Sequence, residues 1–194
     1  MKKFVLFIRG GGEGAYEADA LLAASLQKAL GPAYDVRYPV MPVEEDAGYL
    51  DWKAQIAAEL AGFDDQVILV GHSVGGAILL KFLSEEQENI SSAGLFLIST
   101  PYFGGDEQWD YEELTLPQDW AAKLSSIPRI FFYHSRDDEI VPFAHLALYA
   151  AQLPQAIIRE YNGRGHQFRN DLTDVASDIT QEGVPPAAAV EPHF

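Results

Sequence analysis

The chain is 194 residues long, 48% hydrophobic and 22% charged, which at about 150 residues per domain leaves room for one folded domain and excludes a disordered chain. It contains no cysteine, so disulfides, thiolate metal sites, iron–sulfur clusters and a cysteine nucleophile are all excluded. Thirteen basic against 29 acidic residues give a net charge of −16, a surface that repels nucleic acid and anionic membranes.

Strand-like and helix-like segments alternate along the chain. Phe4–Ile8 is a continuous apolar run, the pattern of a strand buried on both faces. Glycines at 10–14 break it, and Ala15–Leu30 carries alanine and leucine at helical spacing until Gly31-Pro32. Tyr34–Tyr38 is a short second strand, and Tyr49–Leu60 an amphipathic helix with Leu50, Ile56, Ala57 and Leu60 on one side. Gln66–Val70 is a buried strand running into Gly71-His72-Ser73-Val74-Gly75-Gly76 and a helix over Ala77–Ser84. Gly94–Ile98 is a fourth strand, and an irregular, aromatic and acidic stretch follows it. A short helix over Gln118–Leu124, a strand at Arg129–Tyr133, a helix at Phe143–Gln152 and a last strand at Ala156–Glu160 complete the alternation. Beyond a Gly163/Gly165/His166 loop lies a weak helix near Asp171–Ile179, and residues 181–194 form a tail without periodic signal. The expected architecture is a single domain over residues 1–180, an α/β three-layer sandwich with a mostly parallel sheet of about six strands.

In such sheets reactive residues gather on loops leaving the carboxyl ends of the strands, and three of those exits carry chemistry. Gly71-His72-Ser73-Val74-Gly75 is a G-x-S-x-G pentapeptide between a buried strand and a helix. A strand–turn–helix this tight forces the serine into strained backbone angles and leaves room only for glycine two positions either side. A serine hydroxyl needs a base. Of the five histidines, His166 follows the last strand in a glycine-rich loop able to fold back over the sheet. His72 adjoins the serine but points elsewhere, His134 ends a strand, His145 lies in a helix and His193 in the tail. A carboxylate must then fix the imidazole tautomer. Asp138, three positions before Val141-Pro142, sits at the turn; Asp137 is its main rival, and Glu139 is expected to face solvent. The N–H of Val74 supplies one oxyanion donor. The other is expected from the loop after the first strand, with Gly11 first and Gly10 and Gly12 close behind.

GHSVGG after a buried strand, SRDDEIVPF and GRGHQF, in that order, resemble the α/β-hydrolase superfamily, in particular the small capless serine hydrolases similar to retinoblastoma-binding protein 9. The likeness runs over about residues 3–178. It implies Ser73 as nucleophile, Asp138 as acid and His166 as base of an esterase, thioesterase or amidase. The pattern departs from many superfamily members at the first loop, where Arg9-Gly10 stands in place of His-Gly.

The stretch Tyr102–Trp120 is too short for a lid domain, so an open site is expected. Tyr102, Phe103, Trp109 and Phe143, with Tyr111 and Trp120, either line an apolar substrate pocket or cover a core edge left bare by the missing lid. The expected substrate is a small or medium uncharged ester, with no metal or organic cofactor, no nucleic acid or membrane partner, and no particular sign of a protein partner. A cytoplasmic location is expected, because the Phe4–Ile8 run ends at Arg9, short of a signal peptide's roughly 7–15 apolar residues, and no segment reaches the roughly 18 a membrane span needs. Two other readings compete. Gly10-Gly11-Gly12-Glu13-Gly14-Ala15 also fits G-x-G-x-x-A, the dinucleotide loop of an oxidoreductase, although Asp35 begins the second strand where an acid should end it. A hydrolase fold with an idle triad, serving as a binding module, is the second.

Overall fold

The computed structural model describes residues 2–42, 48–63, 66–86 and 90–181. The described residues form six strands, β1 (Lys3–Ile8), β2 (Tyr34–Arg37), β3 (Val67–His72), β4 (Ser92–Ile98), β5 (Ile130–Ser135) and β6 (Ile157–Tyr161). The helices are α1 (Ala15–Leu30), α2 (Tyr49–Leu60), α3 (Val74–Glu86), α4 (Trp120–Lys123), α5 (Ala144–Gln152) and α6 (Thr173–Thr180). The strands pair in the order β2-β1-β3-β4-β5-β6, and every pairing is parallel. The chain order reverses beside β1, so the carboxyl ends of β1 and β3 flank the crevice where doubly wound sheets place their sites.

Alternation along the strands divides the core in two. Val5, Phe7, Ile68, Val70, Phe96 and Ile98 point to one face and pack with Leu22 and Leu26 of α1 and Val175 and Ile179 of α6. Leu6, Ile8, Leu69, Leu95, Leu97 and Phe132 point to the other, against α2, α3, α4 and α5. Both faces are covered, which is why the strands read as unbroken apolar runs. The three-layer α/β/α fold follows from this arrangement.

Three local features differ from expectation, each for a physical reason. Helix α2 buries Tyr49, Trp52 and Ile56, an i, i+3, i+7 stripe, while Leu50 is 71% exposed. β3 continues to His72 and α3 begins at Val74, so the turn between them is Ser73 alone. Gly75 and Gly76 lie in the first helical turn, against a poor helix propensity, because neighbouring strands leave no room for a side chain there. The expected tail lies outside the described residues beyond Gln181.

Candidate active site

Ser73 has φ 51, the left-handed region that β-carbon-bearing residues avoid. Its N–H donates to Ile98 O at 2.8 Å, and its carbonyl accepts from Gly76 N–H at 3.0 Å. The flanking glycines explain how the strain is held. A Cβ on Gly75 would stand 2.1 Å from Arg9 O and 2.6 Å from Ile8 O, both backbone atoms of β1 and its exit. A Cβ on Gly76 would stand 2.2 Å from Thr100 Oγ1, and one on Gly71 2.5 Å from Gly76 Cα. The elbow is therefore wedged among β1, β3 and the end of β4. Val74 N–H falls in the first turn of α3, where a helix offers no internal acceptor.

The exits of β5 and β6 meet at His166. Its Nδ1 donates toward Asp138, 3.0 Å from each carboxylate oxygen. Asp138 is itself fixed: Oδ1 accepts Ile140 N–H at 2.9 Å and Val141 N–H at 2.8 Å, and Oδ2 lies 3.2 Å from His134 Nε2. Burial alone would raise its pKa, but the bonds from His134 and His166, the imidazole charge and the Val141 N–H outweigh it and hold the carboxyl far below the usual range. With Nδ1 committed as donor, Nε2 of His166 is the ring atom left to accept a proton.

The neighbouring acids grip the backbone of the same loop. Asp137 Oδ1 accepts Ser135 Oγ–H and the N–H groups of Gly163 at 2.8 Å and Gly165 at 3.4 Å. Glu139, expected to face solvent, is exposed yet accepts the His166 N–H at 3.1 Å. Three consecutive acids thus hold one loop, one by its imidazole and two by its main chain.

On the other side of the elbow, Gly10 approaches Ser73 so closely that a Cβ would sit 3.0 Å from the serine Cβ. Gly10 N–H donates to Asp19 Oδ2 at 2.7 Å, which removes Gly10 as an oxyanion donor. Gly11 and Val74 border one cavity of about 350 Å³, whose walls include Tyr49, Trp52, Ile78, Phe103, Trp109, Tyr111, Glu113 and Leu114. Arg9 lies over the Trp52 ring at 4.8 Å and donates to Gly10 O and Pro42 O, tying this loop to the segment before α2.

Of the six aromatic residues considered for the substrate pocket, Phe103, Trp109 and Tyr111 line the cavity. Tyr102 packs edge-on against Tyr149 and bonds Gln152; Phe143 packs on His134 and Arg136; neither reaches the wall. Trp120 is core, 1% exposed. Sequence reading missed Tyr49 and Trp52, in the first turn of α2, and Glu113. It also missed Asp19, although a polar residue on the Asp19-Leu22-Ala23-Leu26-Leu30 stripe of α1 was a visible signal. A larger groove of about 660 Å³ between α2 and α3 opens at the amino end of β3, by Val67, and contains none of these residues.

A serine hydrolase family model matches residues 24–170. The chain belongs to that family. Solved structures similar to this hydrolase are α/β-hydrolases. Est1E from Butyrivibrio proteoclasticus is 17% identical with a TM-score of 0.68, covering 92% of this chain and 85% of its own. The esterase domain of a Rhodothermus marinus protein is 16% identical with a TM-score of 0.64, covering 91% and 82%. A serine hydrolase involved in carbazole degradation, the CarC enzyme, is 16% identical with a TM-score of 0.66, covering 91% and 89%. At these identities the likeness is one of fold. No curated protein sequence matches the chain. Among the described residues, no helix of this hydrolase is long and apolar enough to cross a membrane, and no group of three or more ligating side chains could hold a metal ion.

Proposed function

We propose that the chain, with residues 1–180 as one catalytic domain, hydrolyses carboxylic esters of small or medium uncharged substrates through an acyl-enzyme on Ser73. Ser73 Oγ attacks the acyl carbon while His166 Nε2 takes its proton. The tetrahedral oxyanion lies between the N–H groups of Val74 and Gly11. Collapse breaks the ester bond, and the imidazolium proton leaves with the alcohol. Water then attacks the acyl carbon, gives its proton to Nε2, and the acid departs as Ser73 Oγ–H re-forms. Asp138 keeps the proton of the resting ring on Nδ1. Amides and thioesters would follow the same steps with a different leaving group.

The observation that carries this reading is the His166 Nδ1–Asp138 pair at 3.0 Å, whose histidine carbonyl is bonded by His72, the residue next in sequence to a serine at φ 51. An aromatic cavity of about 350 Å³ bordered by both oxyanion donors suits a compact acyl or alcohol group. Glu113, the charged residue on its wall, disfavours substrates with a carboxylate. The dinucleotide reading fares worse, because the buried Asp19 carboxylate already takes the Gly10 N–H and would repel a pyrophosphate at that loop. The finer likeness to small capless hydrolases similar to retinoblastoma-binding protein 9, and a cytoplasmic setting, belong to the same proposal.

The test is labelling with a fluorophosphonate probe, mass mapping and a Ser73→Ala control, followed by turnover of p-nitrophenyl esters of increasing chain length. Labelling at Ser73 with short-ester turnover is expected. Well-folded protein without labelling, or rates that climb steadily to long acyl chains, would overturn the reading.

A further inference from the structure

The reaction above uses one acid–histidine pair and leaves a second, equally buried pair idle. Asp19 and His72 have side chains 2% exposed and meet with Asp19 Oδ2 2.8 Å from His72 Nδ1. Burying such a pair contributes little net stability, so its partners matter more than its mere presence. Asp19 Oδ2 also accepts Gly10 N–H at 2.7 Å, and Oδ1 accepts Gln167 Nε2–H at 2.6 Å. The other ring nitrogen of His72 donates to His166 O at 3.2 Å, and Ser99 Oγ–H donates to that same carbonyl at 2.9 Å. Gly10 precedes Gly11, His72 precedes Ser73, and Gln167 follows His166. One carboxylate and one imidazole therefore hold the immediate neighbours of the oxyanion donor, the nucleophile and the base.

The protons are arranged to suit. Acceptors face both nitrogens of His72, so one proton lies between Nδ1 and Asp19 while Nε2–H points at His166 O. Burial raises the Asp19 carboxyl, but the His72 bond and charge, the Gly10 N–H and Gln167 together pull it below its ordinary value. A neutral amide at position 19 cannot replace this. With its oxygen toward Gly10 and His72, its NH₂ opposes Gln167 Nε2 and the His72 ring loses a full charge partner. With its NH₂ there instead, it meets the Gly10 N–H head on.

We propose that Asp19 and His72 are positioning residues, a brace that holds Gly11 and His166 in register with Ser73. The inference rests on the acyl-enzyme reading and adds to it the part of the fold that fixes the distances. Its loss should lower kcat and largely spare KM, since neither Asp19 nor His72 lines the cavity.

The experiment compares wild type with Asp19→Asn and Gln167→Ala on p-nitrophenyl butyrate, with kcat expressed per serine titrated by the fluorophosphonate probe. That normalisation removes any loss of folded protein. Asp19→Asn is expected to lower kcat about 10- to 100-fold with KM within about threefold. Gln167→Ala, at a half-buried position, should lower it about three- to tenfold, and decides the matter should Asp19→Asn fail to fold. Ser25→Ala removes a tie from α1 to Leu172 N–H and should lower Tm alone. Active wild type with kcat of both folded variants within about twofold overturns the brace and leaves the hydrolase reading intact. A KM rise at constant kcat also overturns it. Wild type inert to ester and probe would instead refute the hydrolase reading, and the brace with it.

Discussion

Asp137→Asn and Asp138→Asn remove one charge each from adjacent positions, yet opposite consequences follow from which oxygens are in use. At Asp137, Ser135 Oγ–H, Gly163 N–H and Gly165 N–H all converge on Oδ1. An asparagine that keeps its oxygen there keeps all three bonds, so kcat should stay within about threefold of wild type. At Asp138, Oδ1 is claimed by Ile140 N–H and Val141 N–H, which forces the amide oxygen of an asparagine into that place. Its NH₂ then replaces Oδ2, 3.0 Å from His166 Nδ1 and 3.2 Å from His134 Nε2. The amide oxygen at Oδ1 also stands 3.0 Å from His166 Nδ1 but is already taken by two main-chain N–H groups. With the charge gone, the amide hydrogen favours the tautomer protonated on Nε2, which cannot accept the serine proton. Tautomer inversion of this kind costs about 10⁴ in kcat, about 5.4 kcal/mol at 1.36 kcal/mol per tenfold. The assay is steady-state p-nitrophenyl butyrate hydrolysis by both variants, with circular dichroism to establish folding. A folded Asp138→Asn enzyme with more than about a tenth of wild-type kcat, or an Asp137→Asn enzyme more damaged than it, would refute the reasoning.

Gly75→Ala should cost about 3 kcal/mol or more in urea denaturation, because its Cβ meets the backbone carbonyls of Arg9 and Ile8. Gly76→Ala, which meets the Thr100 side chain, should cost less, and the reverse order would contradict the wedge. Asp138 and Asp19 both have folded pKa values below the ordinary carboxylate value of 3.8. Their stabilisation is therefore complete above that value and withdrawn as pH falls below it. A thermal-melt series from pH 7 to pH 2 should show Tm falling through this acid range, with a shallower fall for Asp138→Asn; parallel curves would count against the shift. Glu113→Gln should raise kcat/KM for a hemisuccinate-type ester relative to a neutral one by about fivefold, the effect of about 1 kcal/mol from one exposed charge. An unchanged ratio would move the substrate off that wall.

Much of this was legible in the sequence because the sheet is covered on both faces. Unbroken apolar runs such as Phe4–Ile8 and Gly94–Ile98 have few other readings, and the order of strands and helices followed from them. Ser73 stood out for a related reason: two glycines flanking a serine after such a run imply a turn with no spare volume. Where α3 begins was not legible, since Gly75 and Gly76 weaken a helix locally and are required only by the carbonyls of β1 and by Thr100. Leu50 looked like core by its chemistry, while burial went to Tyr49 and Trp52, placed by a stripe one step away. The flanking acids Asp137 and Glu139 could not be read because their targets are main-chain N–H groups of a loop in another part of the sequence. Asp19 was visible as a misfit on an apolar helix face; its destination depended on a chain crossing that only the assembled fold supplies.

The wedge around Ser73 also bears on how the molecule reaches its working form. Left-handed geometry at a serine relaxes unless something prevents it, and here the restraints come from Arg9 O, Ile98 O and Thr100, at the exits of strands far apart in sequence. β1 and β3 lie side by side but are separated in the chain by α1, β2 and α2, a pairing of high contact order that closes slowly. On the proposed acyl-enzyme reading, nucleophilicity at this position is a property of the finished sheet. Time-resolved capture of Ser73 by an active-serine probe would serve as a clock for the docking of its three central strands during refolding.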